Sequence, residues 1–292
     1  MALVAVIAVT AVWGVTFVQV KDAVEIYPLF AFLAVRYAIA TGTLALVGTG
    51  RLSSLGRSGL TAGAVIGALL GAGIALQTAG LARSMVSSTG FITGLYVVFT
   101  PLFGLLLFRT RVGLEVWLGV CLSVIGLSML AGIHVGSPGG NLLVLASAAV
   151  QALQILIVER YASRYDAIAL TLVTMAACFA GFLVIALAIG ELEVPHGWTV
   201  WGALLVTGVF ASALAYLIQI WAQRRISAAR IALVFALETV FAGLFGFALA
   251  GDRLGWLGWG GCLLILGGIV AAEQAAAGTL LRLVRRPLPQ RL

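Results

Sequence analysis

Charge is what this sequence has least of. Only 9% of its 292 residues are charged, whereas 62% are apolar; an ordinary soluble domain carries roughly a quarter charged residues. A core that grows more slowly than the chain cannot hide that apolar excess. The surplus must face lipid, because apolar runs of about 20 residues cross a bilayer as helices. Cysteine is scarce as well. Cys121, Cys178 and Cys262 all lie inside apolar runs, which indicates neither a disulfide frame nor a metal site. The two histidines, His134 and His196, fall at the outer ends of apolar runs, where a solvated side chain is the default.

Motifs of chemistry are missing too. There is no H-E-x-x-H, no G-x-S-x-G and no pair of intramembrane aspartates, so the usual hydrolytic machinery lacks its residues. No phosphate-cradling glycine loop is present, so ATP-driven transport would need another subunit, and no cofactor is expected. No filter motif or charged pore stripe marks a channel. A net charge of +7 would suggest nucleic acid in a soluble chain. Here the arginines punctuate apolar spans, which is the pattern of membrane topology. The expectation is a non-enzyme that partners the lipid bilayer and a small-molecule substrate, not nucleic acid. An intramembrane lipid-modifying enzyme is the alternative from another class.

What the chain does have is ten apolar segments, at about 2–20, 28–48, 59–81, 86–108, 112–134, 139–158, 167–190, 198–221, 227–250 and 254–276. The first continues into the rest without an A-x-A-like site, so it reads as a membrane helix and not as a secretory signal. With the N-terminus in the cytoplasm, Arg51, Arg57, Arg109, Arg111, Arg160, Arg164, Arg224, Arg225, Arg230, Arg282, Arg285, Arg286 and Arg291 fall inside. Lys21, Arg83 and Arg253 fall outside, and Arg36 lies within a span. Translocation of basic loops is disfavoured, so this asymmetry predicts an all-α polytopic protein with both termini inside.

The two halves of the chain resemble each other at an offset near 138–141 residues. Thr10 through Trp13 aligns with Ala148 through Gln151, Ser87 with Ser227, Cys121 with Cys262 and Gly126 with Gly267. An odd number of helices per half means that the second copy enters from the opposite side. The expectation is therefore two inverted five-helix repeats, 1–136 and 137–278, followed by a basic cytoplasmic tail, 279–292. Inverted repeats commonly place a substrate site at the midplane and expose it to each side in turn.

Polar residues inside spans carry the functional reading, because each is costly unless satisfied. Glu238 lies about 18 Å into the ninth helix, near the midplane. It is either a substrate-ammonium or proton site, or a structural carboxylate held by its neighbours. Arg36 lies about 12 Å below the outer end of the second helix. It can meet a substrate carboxylate, or brace a neighbouring helix and snorkel outward. Thr93, Tyr96 and Thr100 share one face of the fourth helix, flanked by Phe99 and followed by Pro101, which is a cavity-wall pattern or hydroxyl glue between helices. Gln77, Gln151 and Gln154 are candidate amides, and Trp13, Phe17 and Tyr216 are candidate aromatic walls. Glycine-rich seams, including the last helix, suit close helix packing and leave a homodimer open.

The residues Val12-Trp13-Gly14, Arg36-Tyr37, Thr100-Pro101, Ala236 through Phe241 and Gly251-Asp252-Arg253-Leu254 together resemble the EamA-type branch of the drug/metabolite transporter superfamily, across essentially the whole chain. Thr239 stands where the family usually has proline, and Arg109-Thr110-Arg111 replaces an acidic signature. The resemblance is nearest to YddG-type exporters of aromatic and other amino acids; relatives also carry drugs, purines and sugar-like metabolites. It implies that helices 1, 3, 4, 6, 8 and 9 surround a central cavity, with helices 5 and 10 peripheral, in the inner membrane of a bacterium.

Overall fold

A computed structural model describes residues 1–84, 86–110, 112–131, 137–249 and 255–284. Among them every long regular element is helical: α1 (Ala2–Ile26), α2 (Leu29–Gly48), α3 (Gly56–Leu81), α4 (Val86–Gly94), α5 (Tyr96–Phe108), α6 (Leu114–Ala131), α7 (Pro138–Ala162), α8 (Ala167–Ala188), α9 (Trp198–Leu205), α10 (Ala215–Ala222), α11 (Ala228–Phe235), α12 (Leu237–Leu249) and α13 (Trp256–Val284). A 3-10 turn, Thr49–Ser54, prolongs α2, and a π-helix, Val206–Leu214, joins α9 to α10. His134, Arg111, the Gly251–Leu254 motif and Arg285, Arg286 and Arg291 lie outside the described residues.

Among the described residues eight stretches are long and apolar enough to cross a membrane, and Leu114–Met129 and Trp256–Ala272 are apolar but shorter. Large apolar side chains such as Leu106, Leu107, Val184, Leu187 and Leu263 point outward, as they must where the solvent is hydrocarbon. Helix ends are closed locally. Ser137 accepts from Gly140 N with Pro138 opening α7, and Asp166 accepts from Ala169 N at the start of α8. Both satisfy amides that no helical carbonyl can reach.

Packing is governed by small residues. The most extensive pairings join α6 to α13, α3 to α7 and α2 to α8. A Cβ added to Gly80 would stand 2.5 Å from Val144 Cγ2 and 2.7 Å from the Gly140 carbonyl oxygen, so α3 and α7 meet at that point only because the side chain is absent. Gly14 on α1 approaches α12 as closely, with a Cβ placed 2.9 Å from the Glu238 carbonyl. That contact brings Trp13 beside Glu238.

The fourth apolar segment is not one continuous helix. α4 ends at Gly94 and α5 begins at Tyr96, with Leu95 between them. The interruption comes six residues before Pro101, through which α5 runs on unbroken. The ninth segment is interrupted in the same way at Ala236, between α11 and α12.

Candidate functional site

Beside the two close approaches above lies a cavity within the bundle. It encloses about 520 Å³, counting its open mouth, and is lined by Trp13, Thr16, Phe17, Val20, Arg36, Ile74, Gln77, Thr78, Leu81, Gln151, Tyr216 and Glu238. Helices α1, α2, α3, α7, α10 and α12 each contribute. Its polar character comes chiefly from two buried charged residues, Arg36 and Glu238, 6% and 8% exposed.

Each charge is anchored at one edge only. Arg36 donates through Nε to Ser212 Oγ at 2.9 Å, and its guanidinium carbon lies 5.6 Å from the Tyr37 ring centre. Glu238 Oε2 accepts from the Tyr96 hydroxyl at 3.3 Å. Both are described residues, and no ion pair joins them. An arginine stays protonated in any protein environment. A buried charge without a counter-charge needs water or a ligand in the space beside it. The cavity supplies that space.

The aromatic wall is held in place. Trp13 donates its indole N–H to the Ala211 carbonyl at 2.9 Å. Its ring lies 5.6 Å from Tyr216 and 4.9 Å, edge to face, from Phe235. Two amides are braced by the fold: Gln77 Nε2 donates to Thr93 Oγ1 at 3.1 Å, and Gln151 Nε2 to Ser147 Oγ at 2.8 Å.

Seven of the expected residues therefore line one cavity: Trp13, Phe17, Arg36, Gln77, Gln151, Tyr216 and Glu238. Thr93 and Tyr96 touch that wall from behind, through Gln77 and Glu238. The other three are placed differently. Thr100, whose hydroxyl returns to the Tyr96 carbonyl at 2.7 Å, lines a second cavity instead. Phe99 stacks on Phe103, one turn along α5, at 5.6 Å. Gln154 accepts from Gln219 Nε2 at 3.1 Å. Gln219 also donates to Gln223, and Gln223 to the Ile155 carbonyl, so Gln154 braces α7 against α10. Thr16 and Thr78 were not anticipated on the cavity wall. Thr16, one turn from Trp13, was accessible to a helical-face argument. Ser212, inside an apolar run, gave no such signal.

The second cavity encloses about 760 Å³, again with its mouth, between the end of α5, the start of α6, the end of α7 and the start of α11. Glu115, Glu159 and Arg230 line it. Among the described residues no cluster of histidine, cysteine or carboxylate side chains could hold a metal ion.

A lipid-embedded helical bundle around a buried, charged and aromatic-walled cavity is the architecture of a membrane transporter. The comparisons with known proteins agree: the sequence model of the EamA-like transporter family matches residues 1–132 and 138–272, and the chain belongs to that family. It is 30% identical over 263 residues to an uncharacterized transporter of Archaeoglobus fulgidus, a match covering 88% of this chain and 81% of that one. A solved structure described only as the crystal structure of a protein superposes with a TM-score of 0.79 at 18% identity, covering 94% of this chain and 98% of its own. That likeness speaks to the fold alone.

Proposed function

We propose that this protein carries amino acids, aromatic ones included, out of the cytoplasm by alternating access, in the manner of YddG-type exporters. The observation that carries the reading is the coexistence of Arg36 and Glu238 on one cavity without an ion pair between them. A zwitterion presents one carboxylate and one ammonium, and it can meet the Arg36 guanidinium and the Glu238 carboxyl at once. Trp13, Phe17 and Tyr216 add apolar faces for an aromatic side chain.

The architecture we propose has ten crossings, the shorter apolar parts of α6 and α13 included, in two inverted halves, 1–136 and 137–278, with a basic tail, 279–292, in the cytoplasm of a bacterium. The repeat is supported by the family's match to each half in turn. It is supported also by the interruptions at Leu95 and Ala236, which stand 141 residues apart, within the offset at which the sequence repeats. Pairing is reciprocal between the halves: α3 packs on α7 as α10 packs on α1, and α5 on α7 as α12 on α1. In this arrangement the cavity of Arg36 and Glu238 opens outward, and the second cavity lies on the cytoplasmic side.

The test is uptake of labelled amino acids into liposomes holding the purified protein, with and without a pH gradient. Saturable uptake, blocked by aromatic amino acids, is the expected result. Folded protein that moves no amino acid would overturn the reading in favour of drugs or sugar-like metabolites on the same fold.

A further inference from the structure

Arg36 has a feature that a merely structural arginine does not need. Its one hydrogen bond to the described residues uses Nε, the N–H on the inner edge of the guanidinium. The two terminal NH₂ groups, which form the outer fork, have no protein partner among the described residues. The side chain is nevertheless more than nine-tenths buried and lines the central cavity. A guanidinium presents five N–H donors in a rigid plane, and two parallel donors match the two oxygens of a carboxylate. Fixing Nε from behind sets the direction of the remaining fork.

The element that does the fixing is the π-helix. At its end Ala215 N bonds the carbonyl of Phe210, five residues back, not that of Ala211 as an α-helix would have it. The Ala211 carbonyl is thereby released from its α-helical partner and accepts the Trp13 indole N–H. The next residue, Ser212, is fully buried and accepts from Arg36 Nε. One turn earlier, Gly208 lets α2 approach so closely that a Cβ there would stand 2.8 Å from Ile39 Cγ2 and 3.0 Å from the Arg36 carbonyl oxygen. Backbone, side chain and aromatic neighbour of the arginine site are therefore all referenced to residues 208–212. π-Helical turns concentrate at functional sites because they redirect such groups.

We propose that this π-helical stretch builds a carboxylate subsite in the cavity, with Arg36 as the binding residue and Ser212 as the positioning residue that aims its fork. The subsite makes the carboxylate a required part of the cargo, and so restricts substrates to amino acids over the corresponding amines and amides. It rests on the amino-acid reading above and deepens it.

The experiment measures KM and kcat of the full-length protein in liposomes for L-phenylalanine and for L-phenylalaninamide, in which the carboxylate is replaced by a neutral group. Wild type is expected to favour phenylalanine by at least about tenfold in kcat/KM, the value of one charge-assisted pair. Ser212→Ala should raise KM for phenylalanine about three- to tenfold with kcat within about twofold, and leave the amide's KM unchanged. Ser212→Thr, which restores a hydroxyl, should recover most of that loss. Arg36→Lys, which has no fork, should bring the two substrates close to equality. Ser212→Ala acting equally on both substrates, or on neither, would overturn the positioning role, and a wild type that moves both equally well would overturn the subsite. Either outcome leaves amino-acid transport standing, whereas folded wild type that moves no amino acid removes both readings together.

Discussion

The two cavities use Glu159 and Glu238 in opposite ways, although each stands beside the start of a helix of the ninth apolar segment. Glu159, half-buried on α7, accepts at Oε1 from the backbone N–H of Ala228 at 3.1 Å and so closes the start of α11. Glu238 stands in the first turn of α12 but turns sideways to the Tyr96 hydroxyl, in the wall of the central cavity. The first carboxylate is consumed by the fold, since an amide at a helix start would otherwise go unmet. The second is held by one bond from a neighbouring helix and keeps acceptor capacity for something that enters. The difference teaches that a buried charge is informative about function only after its structural obligations have been counted.

The comparison breaks altogether if α7, which lines both cavities, is forced off α3. Gly80→Leu puts a side chain where even a Cβ meets Val144 and Gly140. It should cost several kcal/mol and leave no monodisperse protein on size-exclusion chromatography. Glu238→Gln keeps the volume and removes the charge. It should lower amino-acid uptake about 100-fold, the scale of losing a buried charge partner, with normal chromatographic behaviour. Glu159→Gln should change uptake less than about threefold, because an amide oxygen still accepts from Ala228 N. Glu159→Ala sharpens the contrast from the other side: it should lower stability by about 1 kcal/mol in thermal unfolding, the usual worth of a cap. If Glu159→Gln proved as damaging to uptake as Glu238→Gln, the division of labour between the cavities would be wrong.

Much of this was legible in the sequence, for a physical reason. A residue such as Glu238 or Arg36 inside an apolar run announces itself, because lipid tolerates neither without a partner. Trp13 and Tyr216 lie too deep in their apolar segments to be interfacial anchors. What could not be read was how the backbone departs from the α-helix. Hydrophobic patterning marks faces and not hydrogen-bond registers, so it reveals neither the interruption at Leu95 nor the π-turn over Val206–Leu214. Phe99 and Gln154 were candidates by residue type and neighbourhood, which do not show what a side chain already has as a partner: Phe99 stacks on Phe103 and Gln154 accepts from Gln219.

The seam between α6 and α13 has a consequence for how this edge of the molecule can vary. A Cβ on Gly119 would stand 2.8 Å from the Gly268 carbonyl oxygen, and one on Gly126 would stand 2.5 Å from that of Gly261. The two helices thus touch backbone to backbone, as small residues at a membrane helix interface allow. Here the sequence is locked by geometry and not by chemistry: a change as small as glycine to alanine drives two backbones apart.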